Sequence, residues 1–265
     1  MKLDLPNVTN ARDLAGMKTK YGVVKANKLL RAGVLNRLEQ ADIDTLRQCN
    51  LKRVIDLRTE TEIANAPDVK MDGVEQLNVS IVRAVTFGIS FEALDGPTLA
   101  VRLQAGWDRM AQKGENYHDH METIYRRYVH DEHCRAGYGR FLKTMANSPV
   151  DGATLWHCTM GKDRCGTCAL LLEYCLGADK ETMYDDFMES NVQTRENTNS
   201  LLNKVKPYVS PDKMGIVEEM LVVQPYYLDA FFDEIAKLYG SLDGFIKACG
   251  VTQEETDKLR ENYLQ

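Results

Sequence analysis

The sequence predicts an α/β fold: a central, mostly parallel sheet with helices on both sides and extra C-terminal helices. Two buried apolar strands, residues 51–57 and 153–157, lie about a hundred positions apart and indicate the sheet. The second strand is followed by a tight turn and an apolar helix over 166–176, a unit typical of parallel sheets. Gly177 provides a plausible C-cap for that helix.

The remaining elements follow from helical spacing and end signals. Tyr125–Tyr128, with two arginines between them, suggest a helix in the second half of the region 85–145. Thr252 and Glu255 form a capping-box pattern for the last helix. A helix that ends at Gly240 should face a core with five apolar residues at i, i+3, i+4 and i+7 spacing: Leu228, Phe231, Phe232, Ile235 and Leu238.

Length and composition favour one large globular domain. The chain has 265 residues, of which 44% are hydrophobic and 27% are charged, as is ordinary for a soluble globular protein. A soft prior of about 150 residues per domain allows one or two domains. Because no linker rich in Gly, Ser or Pro interrupts the chain, we predict a single domain over 1–265, with a helical elaboration over about 178–265.

Charge and apolar runs limit the compartment and the partners. A net charge of −6 argues against a general binder of nucleic acid or anionic membranes. No apolar run approaches the roughly 18 residues of a membrane span, and the first residues lack the apolar core of a signal peptide. We therefore expect a cytoplasmic protein, or a secreted one if the natural N-terminus was trimmed. Seven irregularly spaced cysteines indicate mostly free thiols.

The segment 157–166, His-Cys-Thr-Met-Gly-Lys-Asp-Arg-Cys-Gly, carries the chemistry. Its turn joins a buried strand to a helix, so backbone N–H groups can form a concave anion site. Arg164 can grip two phosphate oxygens, and the positive potential favours the thiolate of Cys158. A thiolate attacks phosphorus well, which predicts hydrolysis of phosphate monoesters through a phosphocysteine intermediate. The other loop residues expected to bind the phosphate are Thr159, Met160, Gly161 and Lys162.

This segment resembles the signature of the atypical bacterial protein tyrosine phosphatases. That tyrosine/serine phosphatase family includes secreted mycobacterial and listerial members of dual or triple specificity. The blocks 10–16, 30–35 and 56–68 are also similar to the family's, in the same order, and so are the C-terminal helices from Tyr226 onward. The region of about 80–115 has no match. The resemblance implies a tyrosine-phosphatase-like fold without a cofactor or metal. Its substrate would be a phosphorylated protein, a phosphoinositide or a small phosphate ester, and a phosphate or sulfate ion could occupy the loop.

The resemblance also implies roles for individual residues. Cys158 would be the nucleophile, Arg164 the phosphate clamp and Asp163 the general acid. Asp56 is a second candidate for the acid. Lys162 would add positive charge at the rim, which would suit phosphoinositides. Arg12 and Asp13 would either contact the substrate or form a structural ion pair with each other. Residues that would support the pocket are His157, Asp56, Arg58 and Cys165.

Cys165 departs from the family pattern. Family members usually carry Thr or Ser at this position, where a hydroxyl can donate a hydrogen bond to the nucleophile sulfur, and a thiol is a weaker donor. One alternative is therefore a phosphate-recognition module with crippled catalysis. A second alternative is a thiol-redox protein, because Cys165 and Cys168 form a C-x-x-C pattern.

Overall fold

The strands are seen in a computed structural model that describes residues 1–85, 87–88, 96–147 and 151–265. Within these ranges, a five-stranded sheet has the order β1-β4-β7-β5-β6. Its strands are β1 (Arg12–Asp13), β4 (Leu29–Ala32), β5 (Leu51–Asp56), β6 (Glu75–Asn78) and β7 (Ala153–His157). Strands β4, β7, β5 and β6 are parallel to one another, whereas β1 is antiparallel to β4. A separate hairpin pairs β2 (Lys18–Thr19) with β3 (Gly22–Val23).

The two predicted strands lie side by side at the centre of this sheet. Every residue of β7 is buried, and so are five of the six residues of β5. Successive side chains of a strand point to opposite faces. Ile55 and Trp156 accordingly pack into one apolar layer, and Val54 and Leu155 pack into the other. Because both faces are covered, these strands are apolar along nearly their whole length.

Helices cover both faces of the sheet. The N-terminal segment and α1 pack on one face, and α4, α5, α6 and α10 pack on the other. This arrangement confirms the predicted fold class. The helices are α1 (Gln40–Gln48), α2 (Glu60–Asn65), α3 (Gly96–Lys113), α4 (Tyr117–His130), α5 (Glu132–Asn147), α6 (Asp163–Leu176), α7 (Lys180–Gln193), α8 (Arg195–Val205), α9 (Met214–Leu221), α10 (Pro225–Tyr239), α11 (Leu242–Ala248) and α12 (Gln253–Tyr263).

Several helix predictions are confirmed and others need correction. The left-handed C-cap at Gly177 and the capping box of Thr252 with Glu255 are both present. Helix α6 begins three residues earlier than the apolar pattern indicated, because its first turn is made by charged residues of the signature segment. In α10, Phe232 is only partly buried and Leu238 is 45% exposed, so the apolar face is narrower than predicted.

The region of about 80–115 contains a helix that the sequence reasoning missed. Helix α3 buries apolar residues four apart, including Leu99, Leu103 and Trp107, between polar ones. Residues 86 and 89–95 of this region lie outside the described residues. Of the helices in the described ranges, none is long and apolar enough to span a membrane.

Candidate active site

The signature segment forms a loop at the carboxyl edge of the sheet. Residues 158–162 connect the last residue of β7 to the first residue of α6. Because the strands are parallel and in register, His157 lies level with Ala32 of β4 and Asp56 of β5. Parallel α/β sheets place their ligand sites at this edge. The fold therefore gathers the predicted residues of three separate sequence blocks around one loop.

Gly161 lets the loop approach β4 closely. Its φ of +69° lies in the left-handed region. A Cβ atom there would stand 2.6 Å from the backbone of Ala32 and 2.8 Å from that of Gly33. A larger residue would push the loop away from the sheet, so the glycine is required for the shape of the anion site.

Cys158, the candidate nucleophile, lies within this loop and is 2% exposed. Burial disfavours the charged sulfur, but several nearby groups stabilise it. The thiol of Cys165, the charge of Arg164 and the backbone N–H groups of Cys165 and Gly161 together hold the pKa of Cys158 well below its usual range. The thiolate is the form of cysteine that attacks phosphorus, and these neighbours favour it.

Arg164 is held by a residue to which the sequence reasoning gave no role. Its Nη1 and Nη2 atoms donate to Oε2 and Oε1 of Glu62, at 2.7 and 2.8 Å. Both side chains are buried. Although burial opposes the charge, Glu62 and Cys158 raise the pKa of Arg164 above its ordinary value. The two-pronged contact fixes the plane of the guanidinium beside the loop.

Glu62 is itself fixed by its own helix and by the loop. It is the N3 residue of α2, in a reciprocal capping box with Thr59. Its Oε1 atom also accepts a hydrogen bond of 2.8 Å from the hydroxyl of Thr159. The pattern Thr-x-x-Glu predicts the start of a helix, but it does not predict that the glutamate binds Arg164.

We expect Glu62→Gln to lower kcat/KM by about 10- to 100-fold, because it weakens a hydrogen-bonded ion pair while keeping the side-chain size. The loss should appear mainly in KM, since Arg164 would still be present but no longer held in one orientation. Steady-state kinetics measure this effect. Glu60→Gln is the matched control, an exposed glutamate of the same helix. Unchanged kinetics despite a lower melting temperature would show that Glu62 supports only the fold.

Asp163, the candidate acid, is enclosed by protein. It is 1% exposed, and its Oδ1 atom accepts a hydrogen bond of 2.8 Å from the hydroxyl of Tyr125 in α4. Burial raises the pKa of Asp163, and the neighbouring thiolate of Cys158 adds to the rise, against the opposing charges of Lys162 and Arg164. The carboxyl group therefore keeps its proton to a higher pH than an exposed aspartate does.

The expectation that Lys162 stands at the rim is wrong. Its side chain is 1% exposed, and its ammonium donates hydrogen bonds to the carbonyls of Met220 at 2.8 Å and Val222 at 3.1 Å. These carbonyls lie at the C-terminal end of α9, where a cation is favoured. Burial lowers the pKa of Lys162, and Asp163 at 3.7 Å partly offsets the effect. The ammonium thus ties α9 to the loop instead of facing a ligand.

Arg12 and Asp13 do not form an ion pair with each other. Both are buried, and Arg12 pairs with Asp186 of α7 at 3.0 Å rather than with its neighbour. The carboxylate of Asp13 accepts backbone N–H groups of Ala15 and Asn27. Both side chains are therefore engaged by protein partners, and direct contact with a substrate stays a prediction.

Instead, Arg12 belongs to a buried network that holds the loop from outside. The carbonyl of Gly161 accepts hydrogen bonds from Asn10 Nδ2 at 2.8 Å and from Arg31 Nη2 at 2.9 Å. Arg12 donates to Asn10, and Arg31 pairs with Asp186. Two routes from Asp186 therefore end on one loop carbonyl. These hydrogen bonds hold the carbonyl of Gly161 away from the anion site. The N–H groups of the loop therefore stay available to bind an anion.

The supporting residues His157, Asp56 and Arg58 lie together behind the loop. Arg58 contacts Asp56 at 2.7 Å and Asp68 at 3.0 Å, and Asp68 lies 2.8 Å from His157. Although burial opposes it, the two carboxylates raise the pKa of His157. Ligand atoms of Asp56, Asp68 and His157 come within 4.8 Å of one another, as in a metal site. The guanidinium of Arg58 already supplies the cation that these carboxylates bind.

Cys165 lies beside the nucleophile, as the family pattern implied. Its thiol can donate to Cys158 or to the carbonyl of Ala32, which lies 3.6 Å away. One S–H proton serves one acceptor at a time. Cys165 and Cys168 are completely buried, and burial raises the pKa of both thiols well above the usual range. Such thiols react slowly, so nothing here favours the redox interpretation.

A cavity of about 610 Å³ adjoins the outer edge of the loop. Thr159 and Met160 form part of its floor, with Arg58 and Glu62 beside them. Its walls come from the N-terminal residues 2–11 and from α8. The cavity offers room for a substrate next to the loop, while Cys158 and Arg164 remain almost fully covered.

Comparisons with known proteins agree with the resemblance. A family model described as "Tyrosine phosphatase family" matches residues 3–265. The triple specificity protein phosphatase PtpB of Mycobacterium tuberculosis is 26% identical over 272 residues, which cover 97% of each chain. A Cupriavidus necator protein, provisionally named a tyrosine-protein phosphatase, is 26% identical over 267 residues, which cover 99% of this chain and 88% of that one. The crystal structure of P. aeruginosa TpbA shares 13% identity over 80% of this chain and 97% of its own, with a TM-score of 0.31, too low to support a conclusion.

Proposed function

This chain belongs to the tyrosine phosphatase family, a family of cysteine-dependent phosphatases, and we propose that it hydrolyses phosphate monoesters through a phosphocysteine intermediate. The observation that carries the proposal is the buried pair of Cys158, the first residue of the loop, and Arg164, in the first turn of α6. The lowered pKa of Cys158 favours the thiolate, and the guanidinium of Arg164, held by Glu62, provides a fixed positive charge for the phosphate.

In the first step, the sulfur of Cys158 forms a bond to phosphorus as the bond to the ester oxygen breaks. Loop N–H groups and Arg164 bind the remaining phosphoryl oxygens, and Asp163 gives its proton to the departing oxygen. In the second step, water attacks phosphorus, Asp163 takes back a proton and phosphate leaves. The thiolate is then restored. Donation from the thiol of Cys165 to the departing sulfur, which competes with donation to the carbonyl of Ala32, would favour this last departure.

The substrate that we favour is a phosphotyrosine side chain of a protein. Two relatives are named for activity on proteins, and one of them for triple specificity. A lysine at the rim would favour phosphoinositides, but Lys162 is buried against α9. Serine and threonine phosphates and small phosphate esters remain the other members of the same chemical class.

A phosphate-release panel tests the proposal. It compares a phosphotyrosine peptide, a phosphoserine peptide, vesicles containing a phosphoinositide, and a small alkyl phosphate, each with the native chain and with Cys158→Ser. We expect release from the phosphotyrosine peptide to be fastest and to disappear in the variant. Tight phosphopeptide binding without release by the native chain would instead identify a recognition module.

A further inference from the structure

The hydroxyl of Tyr125 has no place in the chemistry described so far, although it touches the candidate acid. From α4 it reaches Oδ1 of Asp163, 38 positions along the chain, at 2.8 Å. Both side chains are almost completely buried. A buried hydroxyl is costly unless it finds a partner. Here the partner is the carboxyl group that is proposed to move a proton.

The two oxygens of Asp163 have different surroundings. Oδ1 accepts the hydrogen bond from Tyr125, whereas Oδ2 is buried and has no hydrogen-bond partner among the residues that the structure describes. The nearest cation, the ammonium of Lys162, stands 3.7 Å from Oδ2, beyond hydrogen-bonding distance. A carboxylic acid carries its proton on one oxygen. With Oδ1 occupied as an acceptor, Oδ2 is the oxygen left to carry it.

The ring of Tyr125 is held on two sides. It stacks on Tyr227 of α10, with centroids 5.0 Å apart and planes inclined by 30°. It also meets Phe187 of α7 edge-on, with centroids 6.2 Å apart. Burial and the charge of Asp163 raise the pKa of Tyr125 well above its ordinary value, so the hydroxyl stays a donor. Packing thus fixes the hydroxyl of Tyr125, and this hydroxyl in turn fixes the carboxyl group of Asp163.

We infer that Tyr125 is a positioning residue for proton transfer, which holds Oδ1 of Asp163 and leaves Oδ2 to protonate the leaving oxygen. The inference rests on the proposed function, with Asp163 as the acid. In the first step, the proton on Oδ2 moves to the ester oxygen while the S–P bond forms and the P–O bond breaks. Tyr125 then donates to the carboxylate that results, and so stabilises it.

Other groups also face Asp163, and the charged ones among them shift its pKa. They come from the loop and the start of α6, from α4 and from α10: Cys158, Lys162, Arg164, Tyr117, Tyr128 and Tyr227. Burial is the largest influence and raises the pKa of Asp163, while the hydrogen bond from Tyr125 lowers it. Removing that hydroxyl should therefore raise the pKa further. Since the acid must be protonated to act, the alkaline limb of activity should then move to higher pH.

The test is the pH profile of Tyr125→Phe with an alkyl phosphate, whose leaving oxygen needs a proton. We expect the alkaline limb of kcat/KM to move up by about one pH unit, the size set by a hydrogen bond to an ionised group. At the optimum, kcat should fall about tenfold for the alkyl phosphate and much less for an aryl phosphate with a good leaving group. Tyr263→Phe is the control, since it also removes a buried, hydrogen-bonded hydroxyl, but one that donates to the carbonyl of Met145 at 2.9 Å and not to Asp163.

A second substitution keeps the ring and its packing. Replacing Tyr125 with 3-fluorotyrosine makes the hydroxyl a stronger donor, so the alkaline limb should move to lower pH, opposite to the shift in Tyr125→Phe. In a chain that already carries Asp163→Asn, adding Tyr125→Phe should not widen the difference in kcat between alkyl and aryl phosphates any further. If both Tyr125 variants are active and their alkaline limbs stay where the native limb lies, the role of Tyr125 is overturned but the proposed function is not. A native chain that releases no phosphate would overturn the proposed function as well.

Discussion

Phosphate release should fall by roughly 10⁴-fold or more when Cys158 is replaced by serine, the size of loss seen when a catalytic nucleophile is removed. A serine hydroxyl is far less acidic than a thiol, so the neighbours that stabilise the thiolate cannot produce an equivalent alkoxide at neutral pH. Binding should survive, because the loop N–H groups and Arg164 remain. Phosphate release and calorimetric binding of a phosphotyrosine peptide measure the two effects separately.

The matched control is Cys49→Ser, which changes another buried thiol, at the end of α1. It should leave both readouts close to those of the native chain. Substantial phosphate release by Cys158→Ser would exclude a phosphocysteine intermediate. Loss of binding together with turnover would mean that the sulfur also maintains the shape of the loop.

Asp163→Asn should slow hydrolysis of alkyl phosphates by about 10²- to 10⁴-fold, the usual contribution of general acid catalysis. Aryl phosphates with good leaving groups should be affected much less, because their oxygen departs without a proton. The activity of the native chain requires Cys158 to be ionised and Asp163 to be protonated. The pKa of Cys158 is lowered and that of Asp163 is raised, so both conditions can hold over one pH range.

In Asp163→Asn the alkaline limb that belongs to the acid should disappear, whereas the acidic limb that belongs to the thiolate should remain. Asp56→Asn provides the comparison, since the carboxylate of Asp56 is engaged by Arg58. We expect it to change both substrate types alike. Equal slowing of alkyl and aryl phosphates by Asp163→Asn would show that the residue is structural, and would return Asp56 to consideration as the acid.

The sequence by itself determined the elements that depend on near neighbours. Strand β7 was predicted with its observed bounds, and β5 to within one residue, because burial on both faces leaves an uninterrupted apolar run. The grouping of Cys158 with Arg164 followed from their spacing within one strand–turn–helix unit. Helix α3 was missed because polar residues lie between its apolar ones, although buried apolar residues recur four positions apart.

Only the tertiary structure decided which charged and polar groups meet. Glu62 reaches Arg164 across 102 positions, Tyr125 reaches Asp163 across 38, and Lys162 turns inward to Met220 across 58. Helical and strand periodicity states which side of an element is buried, but not which residue of another element lies opposite. Each buried charge needs a partner to offset its lost hydration. The packing of α2, α4 and α9 around the loop selects that partner, and no pattern local to the sequence contains this information.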